Sequence, residues 1–255
     1  MSVFNAYARH YDLFYLDKDY PGEARHVHEI LQKHSPGAAT VLELGCGTSG
    51  HAVHLAEKGY SIVGIDSSLD MLERAHTRLA GLSPALQQRI AVSHSDLRHY
   101  RSDLRFDAVI ALFHVMSYLP ANADLQAALS TAAAHLKPGG LFLFDCWYGP
   151  AVLTDRPEVR IKRMEDESTQ ITRIAEPQLF TEADLVEVRY QVFAVDKTTQ
   201  RIDLIRESHR MRYFFQPEIE LLMNQAGFQL IDAFECMTGR RPGTDTWSVC
   251  FLGRI

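Results

Sequence analysis

Residues 40–50, "TVLELGCGTSG", join an apolar run to three glycines spaced G-x-G-x-x-G at Gly45, Gly47 and Gly50. A short apolar strand that turns on glycines and passes into a helix, read here over 49–58, opens a parallel α/β sheet. The rest of the first half keeps the alternation. "YSIVGID" reads as a second strand, "SLDMLERAHTRLA" as a helix capped by Ser67 or Ser68, and "RIAVSHSD" and "FDAVIALF" as strands three and four. An Ala/Leu-rich helix over 122–136 ends at "KPGG", and "LFLFDCW" is a fifth strand. Near-continuous apolar strands mean a sheet covered on both faces, with ligands beyond the strands' carboxyl ends.

The pattern changes after Pro150. In "DLVEVRYQVFAV", Val186, Val188, Tyr190 and Val192 alternate with Glu187, Arg189 and Gln191, as in a half-buried antiparallel strand, and "RIDLIRESHRMRYFF" looks like its neighbour. A stretch this long is not a loop. The expected fold is therefore α/β: a Rossmann-like sheet over 39–150 and 215–255, an N-terminal helical cap over 1–38, and an antiparallel β insertion over 151–214 serving as lid or dimer contact. The closing helix "QPEIELLMNQAG" leads to two strands, and the family resemblance carried by the motifs below implies that the last of them is inserted antiparallel.

Composition narrows the partners. A net charge of −6 with no basic stripe argues against nucleic acid, and no apolar run approaches a bilayer span. The N-terminus has no signal-peptide core, so a cytoplasmic protein is expected. The four cysteines, Cys46, Cys146, Cys236 and Cys250, form no C-x-x-C pair and are expected to be reduced thiols. His26 and His28, or His51 and His54, lack an acid–histidine cluster, so no metal is expected. His51 and His54 are read as solvated, and Cys46 as a small residue in a tight turn.

The glycines alone suit either a dinucleotide or S-adenosylmethionine (SAM). Glu43 separates the two: a carboxylate beside the turn would repel a pyrophosphate but suits a ligand bearing an ammonium and a sulfonium. That disfavours a NAD-dependent oxidoreductase. Asp66, ending strand two, can accept both ribose hydroxyls, and Asp96, after strand three, an adenine amino group.

"VLELGCGTSGHAVHLAEKGYSIVGIDSSLDMLERA", "SDL", "FDAVIALF" and "LKPGGLFLFD" together resemble the class I SAM-dependent methyltransferases, closely over 39–147 and more loosely over the last forty residues. The resemblance implies that Gly45 and Gly47 pack on SAM beside Glu43 and Ser67, and that Asp66 holds the ribose. It implies that Met71, Asp96 and Leu97 meet the adenine and that Phe113 lies by the methionine part. S-adenosylhomocysteine is then the product. A narrower pattern at Tyr11, Asp12, Lys18, Asp19, Tyr20, Glu23 and Ala24, with "DCWYGP" at Asp145 to Pro150, is similar to N-methyltransferases of nucleotide-linked amino sugars, which carry a β-rich insertion and pair as homodimers through it. Some of those have His where this chain has Tyr118, and their late Ser-Gly-Arg-Gly turn is here "TGRRPGT".

Methyl transfer needs a nucleophile in line with the S–CH3 bond and a way to shed its proton. His114 has a suitable pKa for that and Tyr118 can orient the acceptor, so these two are the catalytic candidates. Tyr11 and Tyr20 either close over SAM or pack as a staple. Tyr7, Trp147 and Tyr148 border the acceptor side, and Arg240 and Arg241 either bind a phosphate or carboxylate or form an exposed loop. The expected function is methylation of a small molecule, an amine first; an O-methyltransferase and a SAM-binding sensor or partner subunit without chemistry stay open. An open polar pocket beside Phe113, His114 and Tyr118 would favour an enzyme.

Overall fold

The computed structural model describes residues 10–255; Tyr7 lies outside them. A single turn, α1 (Tyr11–Phe14), precedes α2 (Tyr20–His34). Asp19 caps α2 by accepting the Gly22 N–H at 2.9 Å, and Pro21 sits in its first turn, where the missing donor costs nothing. The alternating unit follows: β1 (Thr40–Leu44), α3 (Gly50–Glu57), β2 (Ser61–Asp66), α4 (Leu69–Ala80), the short α5 (Pro84–Gln87), β3 (Ile90–His94) and β4 (Phe106–Ala111). After a 3-10 turn (Val115–Tyr118) come α6 (Asn122–His135), β5 (Leu136–Tyr148) and α7 (Gly149–Thr154). Ser68 caps α4 through the Met71 N–H at 3.2 Å, which decides between the two serines.

β3, β2, β1, β4 and β5 run parallel in that spatial order. Their two faces sort by parity. Leu42, Leu44, Val109, Phe142 and Phe144 pack under α6 and a later helix over 216–225, whereas Val41, Ile62, Ile110 and Leu143 pack under α2 and α3. Burial on both faces explains why these strands read as unbroken apolar runs.

The chain between Arg160 and Phe214 makes four antiparallel strands: β6 (Arg160–Glu165), β7 (Thr169–Phe180), β8 (Leu185–Asp196) and β9 (Ile202–Phe214). The end of β9 joins the tip of β5, pairing Trp147 with Tyr213 and Tyr148 with Phe214. The inward residues Ile171, Val192, Ala194 and Ile205 trap Tyr11, Phe14 and Met71, so this sheet closes over α1 and the carboxyl side of the core. Then α8 (Gln216–Gln225), β10 (Gln229–Glu235) and β11 (Ser248–Arg254) complete the fold. β11 lies between β5 and β10, antiparallel to both.

The cysteine expectation is corrected in part: Cys236 and Cys250 form a disulfide, while Cys46 and Cys146 are free and buried. The β10–β11 hairpin brings the pair together, which a separation of 14 residues in sequence does not announce. No helix among the described residues is long and apolar enough to cross a membrane.

Candidate active site

A cavity of about 820 Å³ opens at the carboxyl ends of β1, β2, β4 and β5. It runs from Asp66 and Asp96 at one end, past the glycine turn, to His114, Tyr118, Trp147 and Tyr190 at the other. Its floor is the turn itself. Gly45 has φ +70°, and a Cβ there would strike Val115 Cγ2 at 2.7 Å, so both backbone and packing exclude a side chain. A Cβ at Gly47 would meet nothing within 4 Å, leaving an approach to bare backbone. Gly50 matters for another reason: Tyr20 lies against it, and a Cβ would sit 2.6 Å from the ring.

At the Asp66 end, the carboxylate accepts the Gly47 N–H on one oxygen and the Ser68 N–H on the other, each at 2.8 Å. Each carboxylate oxygen can accept more than one donor, so acceptor capacity is left for a ligand. Burial pushes the Asp66 carboxyl up, more than these N–H donors pull it down. Ser67 and buried Met71 line the wall beside it. Leu97 does too, but Asp96 next to it is committed. Both its oxygens receive Arg98 Nε, at 2.9 and 3.0 Å, and Arg98 also reaches Asp124 at 2.8 Å. The Arg98 hydrogen bonds hold Asp96 below the usual carboxylate range.

At the other end, Phe113 and His114 both take the left-handed conformation, φ 65° and 64°. The His114 N–H donates to both oxygens of buried Asp145 at 3.1 Å. The His114 ring returns to the same carboxylate, Nδ1 lying 2.8 Å from Oδ2 without the alignment of a well-directed hydrogen bond. Burial raises the Asp145 carboxyl, yet the charge and hydrogen bonds of His114 outweigh it and keep it low. Tyr118 stands on the 3-10 turn, its hydroxyl 3.0 Å from His209 Nδ1 on β9. Trp147 lines the same end, edge-on to His114 and to Trp247.

The N-terminal segment forms a further wall. Tyr11, Tyr15 and Tyr20 line the cavity. Lys18 Nζ sits 3.8 Å from the Phe113 ring centroid and pairs with Glu23. Asp12 ties α1 to the turn and to α4, accepting Thr48 Oγ1 at 3.0 Å and Arg78 at 2.7 Å.

Several expected residues lie elsewhere. Glu43 does not line the cavity: it shares the parity of Val41 and points under α3, almost wholly buried, with Oε1 3.6 Å from His51 Nδ1. His51 is not solvated. It is buried between Glu43 and Glu23, with Nε2 2.6 Å from Glu23 Oε2, and it reaches the cavity wall under Tyr20. Burial opposes its charge, but both glutamates outweigh that and raise its pKa. Tyr148 is buried in the core beneath the cavity. Arg240 is exposed and fastened to Glu235 by two N–H donors at 2.8 and 2.9 Å, and Arg241 shares that exposed loop; neither reaches the cavity. Sequence reasoning missed His51, Asp145 and His209, whose partners are 28, 31 and 91 residues away.

A glycine turn open to backbone approach, a half-satisfied carboxylate at the end of β2 and an antiparallel final strand define the class I SAM-dependent methyltransferases. Residues 41–140 match the family described as Methyltransferase domain. The chain is 32% identical over 222 residues to the dTDP-3-amino-3,6-dideoxy-alpha-D-glucopyranose N,N-dimethyltransferase of Streptomyces fradiae, covering 86% of this chain and 82% of that one. A related N,N-dimethyltransferase from Streptomyces venezuelae is 28% identical over 86% of this chain and 89% of its own length. The crystal structure of Streptomyces venezuelae DesVI superposes with a TM-score of 0.80 at 25% identity, covering 99% of both chains. A SAM-dependent methyltransferase from Clostridium acetobutylicum gives 0.81 at 21% identity over 98% of this chain and 99% of that one, a likeness of fold. The chain belongs to the family of SAM-dependent methyltransferases that holds the dTDP-amino-sugar N,N-dimethyltransferases.

Proposed function

We propose that this methyltransferase acts on the amino group of a small nucleotide-linked amino sugar, in the cytoplasm and as a homodimer. The observation that carries the acceptor site is the continuity of the cavity: among the described residues, it runs past the glycine turn to an end lined by Phe113, His114, Tyr118, Trp147 and Tyr190, which supports room for a second ligand. A sensor would have no use for space beyond the cofactor. The Streptomyces fradiae relative is named for a 3-amino sugar, which supports an amine.

SAM, when bound, supplies an electrophilic methyl group on a sulfonium. This chain's residues do the rest. Asp66 accepts the ribose hydroxyls, Gly45 and Gly47 give the backbone its close approach, and Ser67, Met71 and Leu97 enclose the adenine. The Asp96 carboxylate, shared with Arg98, borders that pocket. Tyr11, Tyr20 and Phe113 cover the methionine part, where aromatic faces favour a cation.

The acceptor nitrogen attacks only with its lone pair bare, and a sugar amine near neutral pH arrives largely as ammonium. His114 takes the proton. Asp145 beside Nδ1 favours the tautomer with its proton there, leaving a lone pair on Nε2 for the cavity. Tyr118 and Trp147 hold the sugar. Incubating the protein with SAM and dTDP-3-amino-3,6-dideoxy-α-D-glucopyranose should release S-adenosylhomocysteine and yield an N-methylated sugar by mass spectrometry. Methylation of the 3-hydroxy analogue instead, or no turnover of either, refutes the amine reading.

For the dimer, the support is the outer face of the added sheet. The strand register puts Ile161 on the same outward face as Ile202 and Leu204, and all three are exposed.

A further inference from the structure

The chain Tyr118–His209–Glu207 crosses from the core into the added sheet. Tyr118 Oη lies 3.0 Å from His209 Nδ1, and His209 Nε2 lies 3.2 Å from Glu207 Oε2. Glu207 and His209 are two residues apart on β9 and so share one face; Tyr190, opposite Glu207 on β8, sets its ring edge-on to His209 at 4.8 Å. His209 is buried and Glu207 nearly so. An ionised carboxylate only accepts, so Glu207 fixes the proton on Nε2 and leaves Nδ1 as an acceptor. The Tyr118 hydroxyl then donates inward to His209.

We propose that His209 and Glu207 are positioning residues that lock the Tyr118 hydroxyl rotor, so that Tyr118 presents only oxygen lone pairs to the cavity and accepts an N–H of the methyl acceptor. An unlocked hydroxyl could turn its proton toward the amine lone pair, competing with the methyl group for the same electrons. Locked, it grips an N–H and leaves the lone pair to aim at the methyl. Burial, with Tyr190, Tyr15 and Glu207 nearby, pushes the Tyr118 phenol well up, so it stays a neutral hydroxyl and does not act as a base. The added sheet thus contributes to the reaction geometry, not only to a lid. The inference rests on the amine reading of the preceding section.

The test uses full-length protein with SAM and dTDP-3-amino-3,6-dideoxy-α-D-glucopyranose. His209→Leu should lower kcat about tenfold, the worth of one neutral hydrogen bond, with SAM affinity unchanged; its melting temperature should fall, because Glu207 and the Tyr118 hydroxyl lose a buried partner. His209→Gln should recover most of the rate, because an amide can donate to Glu207 and accept from Tyr118. Tyr118→Phe should show the same deficit, and adding His209→Leu to it should cost nothing further. Equal rates for wild type and His209→Leu overturn the proposal. So does a His209→Gln variant as slow as His209→Leu, which would make His209 a proton acceptor. If the wild type leaves this sugar untouched, the acceptor assignment falls by itself. The lock is then decided by 15N NMR of the S-adenosylhomocysteine complex: protonated Nε2 with bare Nδ1 on His209 supports it, and protonated Nδ1 overturns it.

Discussion

Replacing Asp66 with alanine isolates the cofactor site from the fold. The carboxylate already holds the Gly47 and Ser68 N–H groups, one on each oxygen. Two acceptor sites remain, matched to the two hydroxyls of a ribose. Hydrogen bonds to a charged group contribute roughly 1.5–3 kcal/mol each, so the pair stands for about 3–6 kcal/mol. At 1.4 kcal/mol per factor of ten, Asp66→Ala should weaken SAM or S-adenosylhomocysteine binding by about 10²–10⁴-fold. Stability should change far less. Burial raises the Asp66 pKa above its ordinary value. The folded chain therefore binds more protons than the unfolded one between the two pKa values, and ionised Asp66 lowers stability as pH rises through that window. Losing the charge offsets part of the loss of two N–H partners. Calorimetric titration with S-adenosylhomocysteine, alongside a melting curve, measures both. In the wild type, affinity should also fall as acid protonates the raised carboxyl. A variant whose affinity stays within about threefold of wild type would refute the ribose assignment, since that is less than half of one charged hydrogen bond.

His51 gives a second pH prediction, of the same sign for stability but with the charged form as the stabilising one. Its pKa is raised in the fold by Glu23 and Glu43 against the pull of burial, so its contribution is fully present below the unfolded value of about 6.5 and is lost as pH rises through the folded pKa. Wild-type denaturation midpoints should fall over that range more steeply than those of His51→Gln; parallel curves would contradict the buried pair. For the dimer, sedimentation should find two chains together in the wild type and one in an Ile161→Glu/Leu204→Glu variant. A monomeric wild type disposes of that interface.

The gathering of the expected cofactor residues at one cavity was legible because strand ends in a parallel sheet converge whatever the loops do. Gly47, Asp66, Leu97 and Phe113 follow four different strands, yet topology brings them to one cavity. Strand parity, by contrast, was misjudged. Glu43 lies two residues before the turn, but period-two alternation sends it to the face of Val41, under α3. The buried histidines were illegible for a different reason. A histidine in a helix reads as solvated unless its acids are known, and those of His51 come from α2 and β1. Arg240 suggested an anion site by charge alone, and its charge is answered within its own hairpin by Glu235.

The strain at the methyl end bears on the choice between enzyme and sensor. Phe113 and His114 are consecutive non-glycine residues in the left-handed region, each costing on the order of 1–3 kcal/mol. Nothing in the sheet demands this: β4 ends at Ala111, and a relaxed loop could reach the 3-10 turn. What holds the kink is Asp145, which accepts the His114 N–H with both oxygens and faces its ring. The kink sets the Phe113 ring edge-on to Tyr15 and puts both side chains on the cavity wall. The proposed contact of Phe113 with SAM would account for the first of these residues but gives no reason to strain His114 as well or to bury an acid behind it. A proton acceptor aimed at a second ligand does. The cost of the kink is therefore best explained by the proposed chemistry at the acceptor, with the Asp145–His114 pair as its proposed place.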